Sequence, residues 1–228
     1  SFSYNYYYLA NSTFYQGGTE DEEGNKTYSD EEKEAGRAAA EAAANSLLTA
    51  TNAAALMSKL SQFASGSVYD EDHNVHTVHS EKLDRLCEIV EEAHSPVLVF
   101  YQFRHEVYSI TAKLKGLRVR AYEGEADLAD WNAGNIDVLL AHPASTAYGL
   151  NMQQGGHYIV WYGTGWNLEQ YQQANARLHR QGQRHPVTAY RLICTGTVDE
   201  MANAAIERKS GAQQGVIDAL KTLIKQYS

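Results

Sequence analysis

Only two cysteines, Cys87 and Cys194, occur in the 228 residues. They are too few and too far apart for a disulfide framework, so a reducing compartment is expected. No apolar run approaches the ~20 residues of a membrane span. Nor does the chain open with a basic start, an apolar stretch and a small-residue cleavage site. The expectation is a soluble cytoplasmic protein without a membrane partner. The first residue is Ser1 and not Met, which a processed chain and a fragment of a longer one would both explain. At this length one α/β domain with an appendage, or two small domains, can bury a full core.

Phosphate-binding loops are missing as well. No GxxxxGK followed by Ser or Thr occurs anywhere, so the backbone cradle and lysine of a P-loop are absent. The run GTGWNL (163–168) would place the third glycine of a dinucleotide fingerprint at Leu168, which leaves a strand-to-helix turn as the reading. The acidic strings DEEG (21–24) and DEEK (30–33) follow no apolar strand and read as loop and helix-cap acids. Ser145, near His142 and His157 in sequence, lacks a GxSxG elbow or an orienting acid, which argues against a hydrolase triad. His73, His76 and His79 are spaced by three among β-branched residues, and on a strand that puts alternate rings on opposite faces, so no metal site is expected.

The net charge of −9 argues at first against a polyphosphate partner. The acidity is uneven: residues 1–79 hold 12 acids and 4 bases, whereas 80–228 hold 16 acids and 15 bases. Within 167–191 the only acid is Glu169, against Arg177, Arg180, Arg184 and Arg191. A local basic patch in a nearly neutral region can bind phosphate where the average would not.

The first 79 residues read as a Tyr-rich extended opening, an Ala-rich helix capped by Ser29 and Glu32, and a second helix after Thr51. A short hairpin over 66–79 follows. The opening segment needs a strand partner, expected in a neighbouring domain, with base stacking as the alternative. The two helices form a hairpin of their own. From Ser80 the pattern becomes alternating: apolar runs at 97–103, 117–122, 136–142, 157–162 and 187–193 are separated by amphipathic stretches. That alternation predicts a parallel sheet with helices on both faces, whose ligands sit at the carboxyl ends of the strands. Those ends fall at Gln102, at 142–151 and at 163–167. The expected division is 1–79 as linker and helical insertion, and 80–228 as an α/β domain with C-terminal helices.

The segment QQANARLHRQGQ (172–183) carries two arginines three residues apart. Continued as a helix at 100° per residue, it puts Gln173, Arg177 and Arg180 within a sector of about 60°. An arginine pair in an α/β lobe with no phosphate loop suits a lobe that supplies arginine fingers to a nucleotide held elsewhere. The planar five-donor fork of Arg matches phosphate oxygens as lysine does not.

These residues resemble motif VI of the Swi/Snf branch of superfamily 2 helicase-like ATPases, QAxxRxHRxGQ, at every specified position. In matching order, VLVFYQF (97–103) resembles motif IV and DVLLAHPASTAYGLN (137–151) resembles motif V. TGWNL (164–168) and TGTVDE (195–200) resemble the segments flanking motif VI. Pro143, Ala144 and Tyr148 depart from the usual motif V types, and Gly165 and Leu168 from an Asp-Trp-Asn-Pro stretch. The short stretch after Tyr122 is most similar to phage and bacterial DEAD/DEAH-like members, which would place the protein in a host cytoplasm. The resemblance implies a second RecA-like lobe, preceded by an α-helical hairpin. Its ATP and Mg²⁺ would be held mainly by an N-terminal RecA-like lobe of the same polypeptide, and its nucleic-acid partner would be double-stranded DNA. It implies arginine-finger roles for Arg177 and Arg180, and a place near nucleotide for Gln173, Gly149 and Asn151. Gln102, Phe103, Arg104, Ser145 and Thr146 would face the nucleic-acid backbone. The tail IDALKTLIK (217–225) would brace against the first lobe. By itself the chain is expected not to hydrolyse ATP. The alternative is a non-catalytic nucleic-acid-binding or partner-docking module derived from such a lobe.

Overall fold

The structure is a computed structural model that describes residues 2–9, 19–20, 26–27, 38, 53–146 and 149–207. Apart from Ala38, which is helical, the predicted Ala-rich helix lies outside the described residues, as do the 217–225 tail and Tyr148. In chain order the described elements begin with β1 (Phe2–Leu9), β2 (Thr19–Glu20), β3 (Lys26–Thr27), α1 (Ala53–Ala64), β4 (Ser67–Tyr69) and β5 (Val75–Thr77). The alternating part follows: α2 (Glu81–Ala93), β6 (Val97–Phe100), α3 (Arg104–Lys113), β7 (Val119–Ala121), α4 (Glu125–Asn132) and β8 (Val138–Ala141). After a 3₁₀ turn at Pro143–Thr146 come β9 (Tyr158–Trp161), α5 (Leu168–Asn175), β10 (Val187–Cys194) and α6 (Val198–Glu207).

Six strands make one parallel sheet in the order β1-β10-β9-β6-β8-β7. This is the α/β arrangement expected from the alternating apolar runs. The side chains divide with period two. Leu98, Phe100, Leu139, Ala141, Ile159, Trp161, Val187 and Ala189 meet α4 and α5 on one face. Val97, Val99, Val138, Leu140, Val160, Tyr162 and Leu192 meet α2 and α3 on the other. A parallel sheet covered on both sides needs strands apolar throughout, and β6 and β8 are buried at every position.

The strands end earlier than the apolar runs do. After Phe100 the backbone N–H groups of Gln102 and Phe103 donate to Glu106 Oε2 at 2.7 and 3.1 Å. Glu106 therefore caps α3 with donors that a longer β6 would have spent on its neighbours. The opening segment is a strand, but its partner differs from expectation: β1 lies along β10 of this same sheet, from Phe2 opposite Val187 to Leu9 opposite Cys194. The hairpin predicted over 66–79 is the antiparallel pair β4–β5.

Helix α1 reaches the sheet through Met57 and Leu60, which pack with Cys194, Val198 and Trp166. Ser80 occupies the N-cap position of α2, yet its hydroxyl donates to Asp84 Oδ2 at 2.5 Å and accepts no backbone N–H. At the opposite end of the sheet Trp131 is fully buried and donates from Nε1 to the Met152 carbonyl at 2.8 Å. Gly155 passes so close to that indole that a Cβ there would lie 2.3 Å from Nε1.

Candidate functional site

The loops leaving the carboxyl ends of β6, β8 and β9 gather along one edge of the sheet, where such folds bind ligands. The glycine turn after β9 closes over Gln102: Cβ atoms on Gly163 and Gly165 would lie 3.2 Å from its Oε1 and Nε2 respectively. The turn then enters α5 through Asn167, whose side-chain oxygen accepts from Gln170 N at 3.0 Å. This is the strand-to-helix turn expected there in place of a dinucleotide loop.

Helix α5 ends at Asn175, before either arginine. The single helical face carrying Gln173, Arg177 and Arg180 is therefore not formed. The physical reason is a set of tight turns. Arg177 N donates to Ala174 O at 3.1 Å and Leu178 N to Asn175 O at 3.2 Å, while Arg180 N reaches only two residues back, to Leu178 O at 3.0 Å. Anchors from outside the segment hold these turns. The Arg177 carbonyl accepts from Met152 N at 3.3 Å, and Asn175 Oδ1 accepts from Trp161 Nε1 at 3.0 Å. Leu178 is buried in the core. Gln173 stays on the helix, exposed, donating to Glu169 Oε1 at 2.9 Å.

The arginines nevertheless remain close enough for each other's charge to be felt. Burial holds the half-buried Arg177 guanidinium below its usual pKa, and the like charge of Arg180 adds to the effect. Arg180 is exposed and donates from Nη1 to Asn151 Oδ1 at 2.5 Å, so the motif V and motif VI segments are joined by a direct hydrogen bond. Asn151 is itself fixed by its carbonyl, which accepts from Asn132 Nδ2 at 2.8 Å. Gly149 is exposed two residues earlier, with φ +70°.

A residue the sequence reading passed over organises the turn. Gln183 donates from Nε2 to the carbonyls of Gln153 and Gly156, both at 3.0 Å, and its Oε1 accepts from His185 N at 3.0 Å. Gly182 supplies the bend before it at φ +99°, a conformation side chains disfavour. The closing Gly-Gln of QQANARLHRQGQ was the available signal: it sets the path of the backbone and carries no charge.

Of the residues expected to face nucleic acid, Arg104 and Ser145 are exposed, and Gln102 and Phe103 are half-buried. Phe103 stacks on His105 with centroids 5.5 Å apart. Ser145 donates to the His142 carbonyl at 2.7 Å. Thr146 is fully buried, and its hydroxyl donates to the Pro143 carbonyl at 2.9 Å. The structure thus turns Thr146 inward, because the 3₁₀ turn that exposes Ser145 tucks the next side chain under itself.

The three histidines considered for metal have separate hydrogen-bonding or turn roles. His73 sits in the hairpin turn with φ 62°, His76 pairs with Asp70 at 2.9 Å, and His79 Nε2 meets the Phe63 carbonyl at 2.9 Å. Behind the sheet edge lies a buried ion pair that the sequence reading also missed. Lys82 Nζ is 2.6 Å from Asp199 Oδ2 and donates to the Tyr162 carbonyl at 3.1 Å, while Asp199 accepts from Cys194 N at 3.0 Å. Burial pulls the Lys82 pKa down, but the neighbouring carboxylates, Asp199 above all, outweigh it and the net direction is upward. The pair ties the start of α2 to the start of α6 and to the ends of β9 and β10.

The helicase conserved C-terminal domain matches residues 81–182, from the first residue of α2 to Gly182 of the arginine turn. This stretch is a helicase C-terminal domain. The resemblance to the Swi/Snf branch is borne out by the relatives of the chain. Protein p41 of Acyrthosiphon pisum secondary endosymbiont phage 1 is 36% identical over 184 residues, covering 77% of this chain and 40% of the phage protein. The human chromatin-remodeling ATPase INO80 is 37% identical over 86 residues, covering 38% of this chain and 6% of that protein. The mouse DNA repair and recombination protein RAD54B is 35% identical over 85 residues, covering 37% and 10%. The chain therefore spans less than half the length of these relatives. Among solved structures, the C-terminal part of the Fun30 ATPase domain superposes with a TM-score of 0.53 at 18% identity, covering 63% of this chain and 52% of that one. That likeness shows the fold, an α/β RecA-like sheet with helices on both faces.

Proposed function

We propose that this helicase lobe is the second half of a nucleic-acid-dependent ATPase motor. Arg177 and Arg180 would act on ATP and Mg²⁺ held by a first lobe of the same polypeptide, and the motor would move on double-stranded DNA. The observation that carries the reading is that Arg177 lies within electrostatic range of Arg180, which is itself hydrogen-bonded to Asn151, in a chain without a phosphate loop. Their arrangement fits a polyphosphate. Arg177 is partly desolvated beside a like charge, a state that an anion between the two would relieve.

The chemistry assigned to this chain is electrostatic. As charge develops on the transferring γ-phosphoryl group, fixed cations stabilise it without reorganising. Asn151 would position Arg180 by holding its Nη1, and Gln183 would hold the turn that carries both arginines. Gln173 and Gly149 would lie near the bound nucleotide. On the nucleic-acid side, Arg104 and Ser145 would meet backbone phosphates, with Gln102 and Phe103 beside them. Thr146 would brace the Ser145 turn from within. The shared cleft makes turnover a property of both lobes closing together.

The test is ATP hydrolysis with and without double-stranded DNA, for the polypeptide carrying both lobes and for this lobe alone. The proposal expects DNA-stimulated turnover from the two-lobe polypeptide and none from the lobe. Turnover by the isolated lobe, or a two-lobe protein whose hydrolysis ignores every nucleic acid supplied, would overturn it.

A further inference from the structure

His142 follows β8 and opens the 3₁₀ turn Pro143–Thr146, which carries the exposed Ser145. The donors of that turn come back to it. Pro143 has no N–H, so the first belongs to Ala144, and it donates to His142 Nδ1 at 3.2 Å. Ser145 gives the His142 carbonyl both its N–H, at 2.9 Å, and its hydroxyl, at 2.7 Å. Thr146 spends its hydroxyl on the Pro143 carbonyl at 2.9 Å. An approaching anion therefore finds the donors of Ala144 and Ser145 already engaged, and Ser145 has to turn its hydroxyl to meet one.

The same bonds fix the chemistry of the ring. A backbone N–H can only donate, so Nδ1 presents its lone pair and the proton of the neutral imidazole lies on Nε2. Burial lowers the His142 pKa, which favours that neutral form at pH 7. The ring meets Tyr101 edge to face with centroids 5.7 Å apart, and the charge of Arg104 reaches Tyr101. His142 thus joins the loop after β6 to the turn after β8, the two stretches that carry Arg104 and Ser145. Its Nε2 finds no hydrogen-bond acceptor among the described residues and is not a buried atom. The turn therefore holds one unspent donor, an N–H of fixed tautomer on a half-buried ring. Such a donor suits an oxygen that only accepts, as a phosphate oxygen does, and being uncharged it releases no counterion on binding.

We propose that His142 is a further DNA-backbone residue, whose uncharged Nε2–H donates to a phosphate oxygen. The assignment rests on the nucleic-acid side of the motor reading. The experiment follows binding of a fluorescent DNA duplex to the two-lobe polypeptide by anisotropy, at about pH 8 and from about 50 to 200 mM salt. His142→Asn keeps an acceptor for the Ala144 N–H, but its amide is too short to place a donor where Nε2 lies. His142→Phe keeps a ring against Tyr101 and has no donor. Both should weaken binding by about three- to tenfold, while the slope of log affinity against log salt stays as in the parent. The loss should persist in a Ser145→Ala background, because a direct contact does not act through Ser145. Should His142→Phe unfold, His142→Asn decides alone. Parent-like binding by His142→Asn, or a loss that vanishes in the Ser145→Ala background, overturns the proposal, since the ring then only shapes the turn. A salt slope shallower by about one in the variants overturns it too, since the ring then binds as a cation. A parent that binds no duplex at any salt contradicts the nucleic-acid reading itself, and this assignment falls with it.

Discussion

Arg177 and Arg180 owe their placement to uncharged neighbours, and that dependence can be measured one side chain at a time. Gln183 satisfies the carbonyls of Gln153 and Gly156 at once. Gln183→Ala should therefore cost about 1–3 kcal/mol in urea denaturation and lower turnover of the complete motor without abolishing DNA binding. A second residue-scale prediction concerns pH. His79, with a pKa of about 4 against an ordinary 6.5, is stable only when neutral. Its contribution is fully present above pH 6.5 and is lost as pH falls towards 4, because the unfolded chain takes up the proton first. The expected loss is about 3 kcal/mol for His79, with His105 adding in the same direction; His79→Gln should flatten the fall in stability between pH 6.5 and 4. The identity of the two arginines was legible in the sequence because charge type and spacing are local properties. Their departure from the helix was not. It depends on Met152, Gln153 and Gly156, some twenty or more residues away along the chain, which no periodicity encodes.

Among elements, the strands were easiest to read, since short apolar runs alternating with amphipathic stretches fit strands buried on both faces of a parallel sheet. Their ends were harder: Glu106 takes the N–H groups of Gln102 and Phe103, and a carboxylate capping backward leaves only a faint trace in the sequence. The pairing of β1 with β10 is likewise a long-range choice, spanning nearly the whole chain. How α2 and α6 are joined yields a prediction of its own. Lys82→Met would leave Asp199 buried without its counter-charge, and a loss of about 3–5 kcal/mol is expected in chemical denaturation. Changing Asp199→Leu as well should recover part of that loss, although Cys194 N then lacks its acceptor. At the other end of the sheet, Gly155→Ala would drive a methyl into the Trp131 indole, which has no room to retreat at 0% exposure. A destabilisation of about 1–3 kcal/mol, the usual cost of overpacking, should appear as a lower denaturation midpoint.

At the scale of the whole molecule, the sheet separates two kinds of polar chemistry. One face leads to the arginine turn, and the other holds the buried Lys82–Asp199 pair. The overall charge of −9 concealed this, because nearly all of the net negative charge lies in the first 79 residues, whereas acids and bases almost balance in the rest. The central claim is that the arginines complete an active site formed with another lobe. The most direct measurement is DNA-stimulated ATP hydrolysis by the two-lobe polypeptide, comparing the parent with Arg177→Ala and Arg180→Ala and following DNA binding in parallel. The account predicts a fall of roughly 10³-fold or more for either change, with DNA binding retained. Turnover indifferent to both substitutions would contradict it and leave QQANARLHRQGQ as a scaffold for binding alone.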